Sequence, residues 1–464
     1  MSTDFIKNQG TFLGHPKGLY LLFSTEMWER FSYYGMRALL VLTLVASTED
    51  ANAGFGWGQS DALLLYGIYT GLVYFTPLIG GWLADSYLGQ RKSIIIGGII
   101  MAIGQFILAY SIPQSLNLFY LGLFFLIIGN GFFKPNISTM VGDLYKAGDS
   151  RRDGAFTIFY MGINLGALIA PLVTNTLGED PNWGWQYGYL FAGIGMMLSV
   201  LVQIVFAPKY LGTIGVEPSA KLSLAASGGA HKPLTKIEWD RLKVIFMLFI
   251  FVMLFWASFE QAGGLMTIYA SEKTDRMIGD FLVPAGWFQS LNPLYIIILA
   301  PIFSVMWVKL GKLNPSTPKK MVLGLILTAI GFLFMIGAVL DQQANGKAGM
   351  YWLALAYLFH TMGELCISPV GLSMVTKLSP LRVASVMMGV WFLINFFANL
   401  LAGIIGSFAE KFGELYIFGG IAAFNVVFAL LLWTIAGRLL KWMHGAEDAG
   451  DALNDELKTA ADAV

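Results

Sequence analysis

Glu26-Met27-Trp28-Glu29-Arg30-Phe31-Ser32-Tyr33-Tyr34-Gly35-Met36-Arg37 places four charges inside a segment otherwise apolar enough to cross a membrane. At 3.6 residues per turn, Glu26, Glu29, Arg30, Tyr33, Tyr34 and Arg37 share one stripe about 140° wide, with Trp28, Phe31, Gly35 and Met36 on the other side. A single Arg or Asp at a helix centre costs roughly 2.5 to 3.5 kcal/mol to insert, so ionisable groups in a spanning helix face a wet cavity or a partner. Glu26 and Arg30, at i, i+4, can neutralise each other. Glu29 and Arg37 would still need partners from other helices. The stripe therefore predicts a bundle built around a polar pathway.

The composition agrees. Of 464 residues, 56% are hydrophobic and 12% charged, with a mean hydropathy of +0.65, where soluble domains carry about 25% charge. This is the balance of a polytopic membrane protein. The zero net charge supplies no field for nucleic acid, so none is expected as a partner. The one cysteine, Cys366, excludes an internal disulfide and a cysteine metal cluster, and suits helix packing. The first 17 residues are mixed and polar, and the first apolar run has no small-residue cleavage pattern, so no cleavable signal peptide is expected.

Apolar segments of spanning length fall near 18 to 46, 60 to 84, 92 to 111, 116 to 141, 154 to 176 and 187 to 207, then near 243 to 266, 286 to 309, 320 to 340, 350 to 376, 383 to 408 and 414 to 441. Between the two sets, 208 to 242 is polar and contains Ser227-Gly228-Gly229 and Lys232-Pro233, which reads as a linker. The remaining parts are an N-terminal tail, 1 to 17, and a C-terminal tail, 442 to 464. Alternate loops carry most of the 29 Lys and Arg residues, and only Lys273, Arg276, Lys347 and Lys411 fall on the other side. By the positive-inside rule both tails and the linker are cytoplasmic. The expected fold is an all-α membrane protein with twelve transmembrane helices in two six-helix bundles, 18 to 207 and 243 to 441, around a midplane site.

Between the second and third segments lies Gly81-Trp82-Leu83-Ala84-Asp85-Ser86-Tyr87-Leu88-Gly89-Gln90-Arg91-Lys92. Two glycines allow a tight turn, and Asp85 and Arg91 can bridge to neighbouring helices when one face closes. This loop resembles the helix 2 to 3 motif of the major facilitator superfamily. The matching loop of the second half, Val308 to Lys320, keeps basic residues without the motif.

Polar groups recur inside the other segments. Lys134 lies within Gly129-Asn130-Gly131-Phe132-Phe133-Lys134-Pro135-Asn136. It either snorkels to a helix end or needs an anion, for which Glu26 and Glu29 are the nearest candidates. A Glu/Arg/Lys cluster can act as a protonation switch, since a proton on one carboxylate frees a cation to pair elsewhere. Tyr160 and Asn164 are one turn apart beside glycines. Asn164 either binds a ligand or joins two helices, and Tyr74 is either an aromatic wall or plain packing. The second half holds Trp256 with Glu260, Asn292-Pro293, then His360, Glu364 and Ser368 at i, i+4 and i+8, and Trp391 with Asn395 and Asn399. Glu364 can alternatively be protonated and hydrogen-bonded within the bundle, and both tryptophans can simply pack or anchor at the interface. The membrane cations all lie in the first half and the second half supplies Glu260 and Glu364. A cavity between them, with Ser368 among its candidate binding residues, would suit a zwitterion whose carboxylate meets Arg37 or Lys134 and whose ammonium meets Glu364.

The Glu-x-x-Glu-Arg-Phe start at Glu26, the Gly81 to Lys92 loop, Asn130 to Asn136, Phe159 to Gly166, Phe255 to Gln261, Leu291-Asn292-Pro293, and Gly363-Glu364 with Ser368-Pro369-Val370-Gly371 together resemble the proton-dependent oligopeptide transporter family. The resemblance implies a proton-driven symporter of di- and tripeptides in a bacterial inner membrane. It implies proton coupling by Glu26, Glu29, Arg30 and Lys134. Arg37 would meet the peptide carboxylate and close the outer gate with Glu260. Asn164, Asn292 and Glu364 would hold the amino end and backbone, and Tyr33, Tyr34, Tyr74, Tyr160, Trp256 and Trp391 would line side-chain pockets. Many bacterial members carry two extra helices between the halves, which 208 to 242 is too short to hold.

Two other anionic-substrate or sensing readings share this fold. A nitrate or decorated-carboxylate carrier is opposed by the first-helix motif and Glu364, and a peptide sensor would need an output domain. A membrane enzyme finds no support, because none of the four histidines has a His-Glu-x-x-His spacing and no nucleophile and base pair is evident. No cofactor is expected; the expected partners are peptides, protons and the bilayer, and the expected state is a monomer.

Overall fold

A computed structural model describes residues 10–146, 149, 151–218, 234–380 and 384–446. The ends of both tails and the middle of the linker lie outside the described residues. Twelve helices of 20 residues or more run through the rest: α1 Lys17–Val45, α2 Gln59–Leu83, α3 Gln90–Ser111, α4 Leu116–Asp143, α5 Arg151–Gly178, α6 Trp185–Tyr210, α7 Lys236–Phe259, α8 Leu291–Leu310, α9 Thr317–Asn345, α10 Met350–Leu378, α11 Ala384–Ser407 and α12 Glu414–Met443. Ten helical stretches among the described residues are long and apolar enough to cross a membrane. The helices outside that set are α1, with its crowd of central charges, and α10.

In the first half α1 packs between α5 and α6, while α4 contacts α2 and α3. In the second, α9 packs on α10 and α12, and α7 on α11 and α12. The halves meet along two seams, α2 against α11 and α5 against α8. Lipid tails are as apolar as leucine, so helices associate by close van der Waals packing, which small residues permit. At Gly80 of α2 an added Cβ would stand 2.1 Å from the Gly131 carbonyl oxygen of α4, and Gly67 abuts Gly403 across the α2–α11 seam. Gly80→Ala is therefore expected to destabilise the protein by about 1–3 kcal/mol through overpacking, read as a lowered melting temperature in detergent.

Gly18 lies against the Tyr210 carbonyl and Arg241 Nε donates to the Met443 carbonyl, so the starts of α1 and α7 and the ends of α6 and α12 share one face, the linker face. The opposite, far face carries two small ribbons: Thr274–Asp275 pairs in parallel with Ala348–Gly349, and Met277–Ile278 pairs antiparallel with Phe281–Leu282.

Two boundaries depart from the sequence reading. Helix α7 starts at Lys236, within the stretch read as linker, because Thr235 and Glu238 form a capping box: Glu238 N donates to Thr235 Oγ1 at 3.3 Å and Thr235 N to Glu238 Oε2 at 2.7 Å. This satisfies two otherwise orphaned N–H groups and fixes the helix start. At its other end α7 stops at Phe259, gives one 3₁₀ turn, Glu260–Ala262, and restarts as a short helix, Leu265–Lys273, after Gly263-Gly264. Similarly, α8 is preceded by a 3₁₀ turn, Ala285–Ser290.

Candidate substrate cavity and charge cluster

Between the halves lies a cavity of about 200 Å³. Its first-half wall comprises Tyr34 and Arg37 of α1, Tyr74 of α2, and Tyr160, Ile163, Asn164, Ala167 and Pro171 of α5. Facing these are Trp256, Phe259 and Glu260, then Gln289, Asn292, Pro293 and Ile296 before and along α8, and Tyr357, Glu364 and Ser368 of α10. Helical spacing explains the α10 contribution: Tyr357, Glu364 and Ser368 lie at i, i+7 and i+11, on one face.

Arg37 closes the far end of the cavity. Its Nη2 lies 2.6 Å from Glu260 Oε2 and its Nε donates to the Tyr66 hydroxyl at 2.7 Å, with all three groups buried. The ion pair joins the two halves. Removing either partner would leave a desolvated charge unpaired. On the second-half wall, Asn292 Nδ2 donates to Glu364 Oε2 at 2.8 Å and to Thr361 Oγ1 at 3.0 Å. Trp256 Nε1 is buried with no acceptor among the described residues, so a donor aimed into this wall is unmet. Asn164 spends its amide on the Tyr160 carbonyl one turn back, 2.9 Å away, while still lining the cavity.

Beside the cavity sits the α1 charge cluster. Arg30 Nε lies 2.8 Å from Glu26 Oε1 and 2.5 Å from Glu29 Oε2, and Asn130 Nδ2 reaches Glu29 Oε1 at 3.4 Å. Glu29 has no exposed surface and Glu26 almost none. Lys134 departs from expectation. Its Nζ stands 3.7 Å from the Tyr74 ring centroid, and no ion pair among the described residues joins it to Glu26 or Glu29. Arg30 reaches one oxygen of each carboxylate, while the lysine takes the π face of Tyr74, an attraction that desolvation strengthens. Tyr74 thereby touches both the charge cluster and the cavity.

Four further expected residues lie elsewhere. Tyr33 is 5% exposed and stands beside the cavity rather than in its lining, with its ring edge-on to Tyr34 and Arg30 over its face. Trp391 packs on Phe249, 5.9 Å between centroids, in the α7–α11 contact. Of the loop pair, Asp85 is exposed, and Arg91 Nη1 donates to the Gly212 carbonyl at 3.0 Å, tying α3 to the chain after α6 within the first half. Sequence reasoning missed Tyr66, Gln289 and Tyr357. Tyr66 was detectable, because it lies two turns from Tyr74 on the same face of α2.

The sequence matches the model of the POT family over residues 91–213 and 227–427. The chain belongs to the POT family. An uncharacterized transporter YclF of Bacillus subtilis is 38% identical, covering 94% of this chain and 97% of its own. A di-/tripeptide transporter of Lactococcus lactis subsp. cremoris is 35% identical over 94% of this chain and 98% of its own. A crystal structure of a peptide transporter POT in complex with alafosfalin superposes with a TM-score of 0.87 at 35% identity, covering 96% of this chain and 99% of that one. The POT fold is the major facilitator fold that the Gly81 to Lys92 loop resembled, and the family is one of membrane transporters. The family-model match begins after α1 and α2, so the α1 charge cluster lies outside it.

Proposed function

We propose that this chain is a symporter that imports di- and tripeptides together with protons by alternating access, as a multi-pass protein of a bacterial inner membrane with both termini cytoplasmic. One observation carries the substrate class: a cavity between the halves with a guanidinium on one wall and a carboxylate on the other. In a zwitterionic peptide the two ends have matching charges a few ångströms apart. Arg37 Nε and Nη2 are engaged by Tyr66 and Glu260, which leaves Nη1 to meet the peptide carboxylate. Glu364, steadied by Asn292, takes the ammonium, and Asn164 and Trp256 Nε1 supply backbone partners. Tyr34, Tyr74, Tyr160 and Phe259 offer apolar faces without shape-specific pockets, which suits variable side chains. Glu364, a second-wall carboxylate beyond the one paired with Arg37, disfavours a simple inorganic anion such as nitrate.

Uptake of labelled dialanine into proteoliposomes, with and without an inward proton gradient, tests this reading. Gradient-driven accumulation should be blocked by excess tripeptide and not by nitrate; absence of uptake by folded, oriented protein would overturn it. In the same assay Glu364→Gln should weaken dialanine by roughly 30-fold or more, the scale for losing one partner of a buried charge pair. N-acetyl-dialanine, which lacks the ammonium, should compete equally weakly against both proteins.

A further inference from the structure

The far face is closed by more than the Arg37–Glu260 pair. At the end of α5, the Glu179 side chain is 13% exposed and accepts four donors. Ala285 N reaches its Oε2 at 2.7 Å and Gly286 N its Oε1 at 2.9 Å, across the seam between the halves. Arg276 Nη1, also from the second half, is 3.2 Å from Oε2, and Asn175 Nδ2 of α5 is 3.1 Å from Oε1. Arg276 is itself fixed by the Val283 carbonyl at 2.8 Å.

The surrounding seam is built for this contact. A Cβ at Gly286 would stand 2.0 Å from the Asn175 amide, so only glycine lets the turn approach α5. Trp287 Nε1 donates to Thr176 Oγ1 at 2.9 Å, and Ser290 Oγ to the Leu168 carbonyl at 2.8 Å. This turn, Ala285–Ser290, leads directly into α8. It contributes Gln289 to the cavity, and Asn292 follows on the first turn of α8. Across from it, α5 supplies five lining residues. The carboxylate thus ties together the two helices that carry opposite cavity walls.

We propose that Glu179 is a gating residue, a second far-face latch on the α5–α8 seam that acts alongside Arg37–Glu260 and sets the spacing of the α5 and α8 cavity walls. The inference rests on the alternating-access reading above. A carboxylate held by two backbone N–H groups and a guanidinium makes strong, charge-assisted bonds. All three of those donors lie in the half that must separate for the far face to open. When the seam parts, water takes the place of these donors, so the latch favours closure by the difference between the two sets of bonds.

Spin labels at the exposed far-face positions Glu49→Cys and Lys347→Cys, one on each half, read the opening directly by pulsed electron resonance in nanodiscs. Cys366 is buried and does not compete for label. The unsubstituted background should show one dominant short distance. Glu179→Gln offers an amide N–H where a donor already points, and should raise the long-distance population about tenfold or more. Gly286→Ala should do the same without altering charge, and Glu179→Asp should fall between. If Glu179→Gln folds poorly, Glu179→Asp and Gly286→Ala carry the test. An unchanged distance distribution in the folded variants, with only a lowered melting temperature, would overturn the latch and leave a structural role. Dialanine binding to the unsubstituted protein, measured by calorimetry, separates the two readings: no binding with an intact opening response would sink the peptide assignment and keep the latch.

Discussion

Replacing Glu29 by Gln should abolish concentrative uptake while leaving counterflow, in which peptide exchanges for peptide, nearly intact. Glu29 has no exposed surface, sits 2.5 Å from Arg30 Nε and is touched by Asn130. A glutamine fits that space and keeps the Asn130 contact, but it neither binds nor releases a proton and leaves Arg30 with Glu26 alone. The cluster would then be held in something close to its protonated arrangement. A tenfold inward proton gradient is worth about 1.4 kcal/mol and can support about tenfold accumulation of dialanine for each coupled proton. In Glu29→Gln the accumulation ratio should fall to about one. Retention of gradient-driven accumulation would remove Glu29 from the coupling site, and loss of counterflow as well would mean that the residue serves the whole transport cycle rather than the proton.

Arg37→Ala should have an effect at least as large. It strands Glu260, buried, and removes the donor to the Tyr66 hydroxyl. Breaking one side of a buried pair costs about 3–5 kcal/mol because the other charge stays desolvated, and here relief comes from opening the far face. The peptide loses its carboxylate partner as well. Dialanine uptake should drop by roughly 100-fold or more. The double variant Arg37→Ala with Glu260→Ala separates the two causes, since it removes the stranded charge and not the binding defect. With a cysteine introduced at Ile163, in the cavity lining, an impermeant maleimide added on the far side should label Arg37→Ala quickly and the double variant slowly. Uptake should stay low in both. Labelling of Arg37→Ala no faster than that of the protein carrying only the Ile163 cysteine would show that this pair does not hold the far face shut.

Much of the architecture was legible because the residue types are costly where they occur. Charges in apolar segments required a polar interior, and the apolar runs placed the long helices in order along the chain. Helical spacing put Glu364 and Ser368 on one face of α10 but with His360, which is buried away from the cavity lining, and not with Tyr357; the need for a partner was legible for Arg37, while Glu260 as that partner came from the family resemblance. Other features depended on which groups compete for one partner. Lys134 was matched to a carboxylate by charge alone, yet Arg30, only one and four residues away from Glu29 and Glu26, reaches both first. Trp391 shares a helix face with Asn395, but which side of that face meets the cavity depends on α7 packing against it. Glu179, followed by Asp180 in a turn, reads as a solvated loop acid. Two of its four donors are backbone N–H groups more than a hundred residues away, which carry no signature in side-chain type. The Thr235-x-x-Glu238 cap, by contrast, was fully present in the sequence and lay hidden in a stretch whose polarity read as linker.

The charged side chains along the pathway, six buried and Lys134 half-buried, do not balance. Glu26, Glu29, Glu260 and Glu364 face Arg30, Arg37 and Lys134, so with each ionised the empty carrier holds one excess negative charge. One proton and a zwitterionic peptide bring the loaded carrier to neutrality. Voltage should then act little on the loaded crossing and mainly on the empty return, where an interior-negative potential is worth about 2.3 kcal/mol per 100 mV for a full elementary charge. A cell's electrical polarisation would thus spend itself on resetting the carrier to face outward, and transport would be current-generating even for a substrate with no net charge.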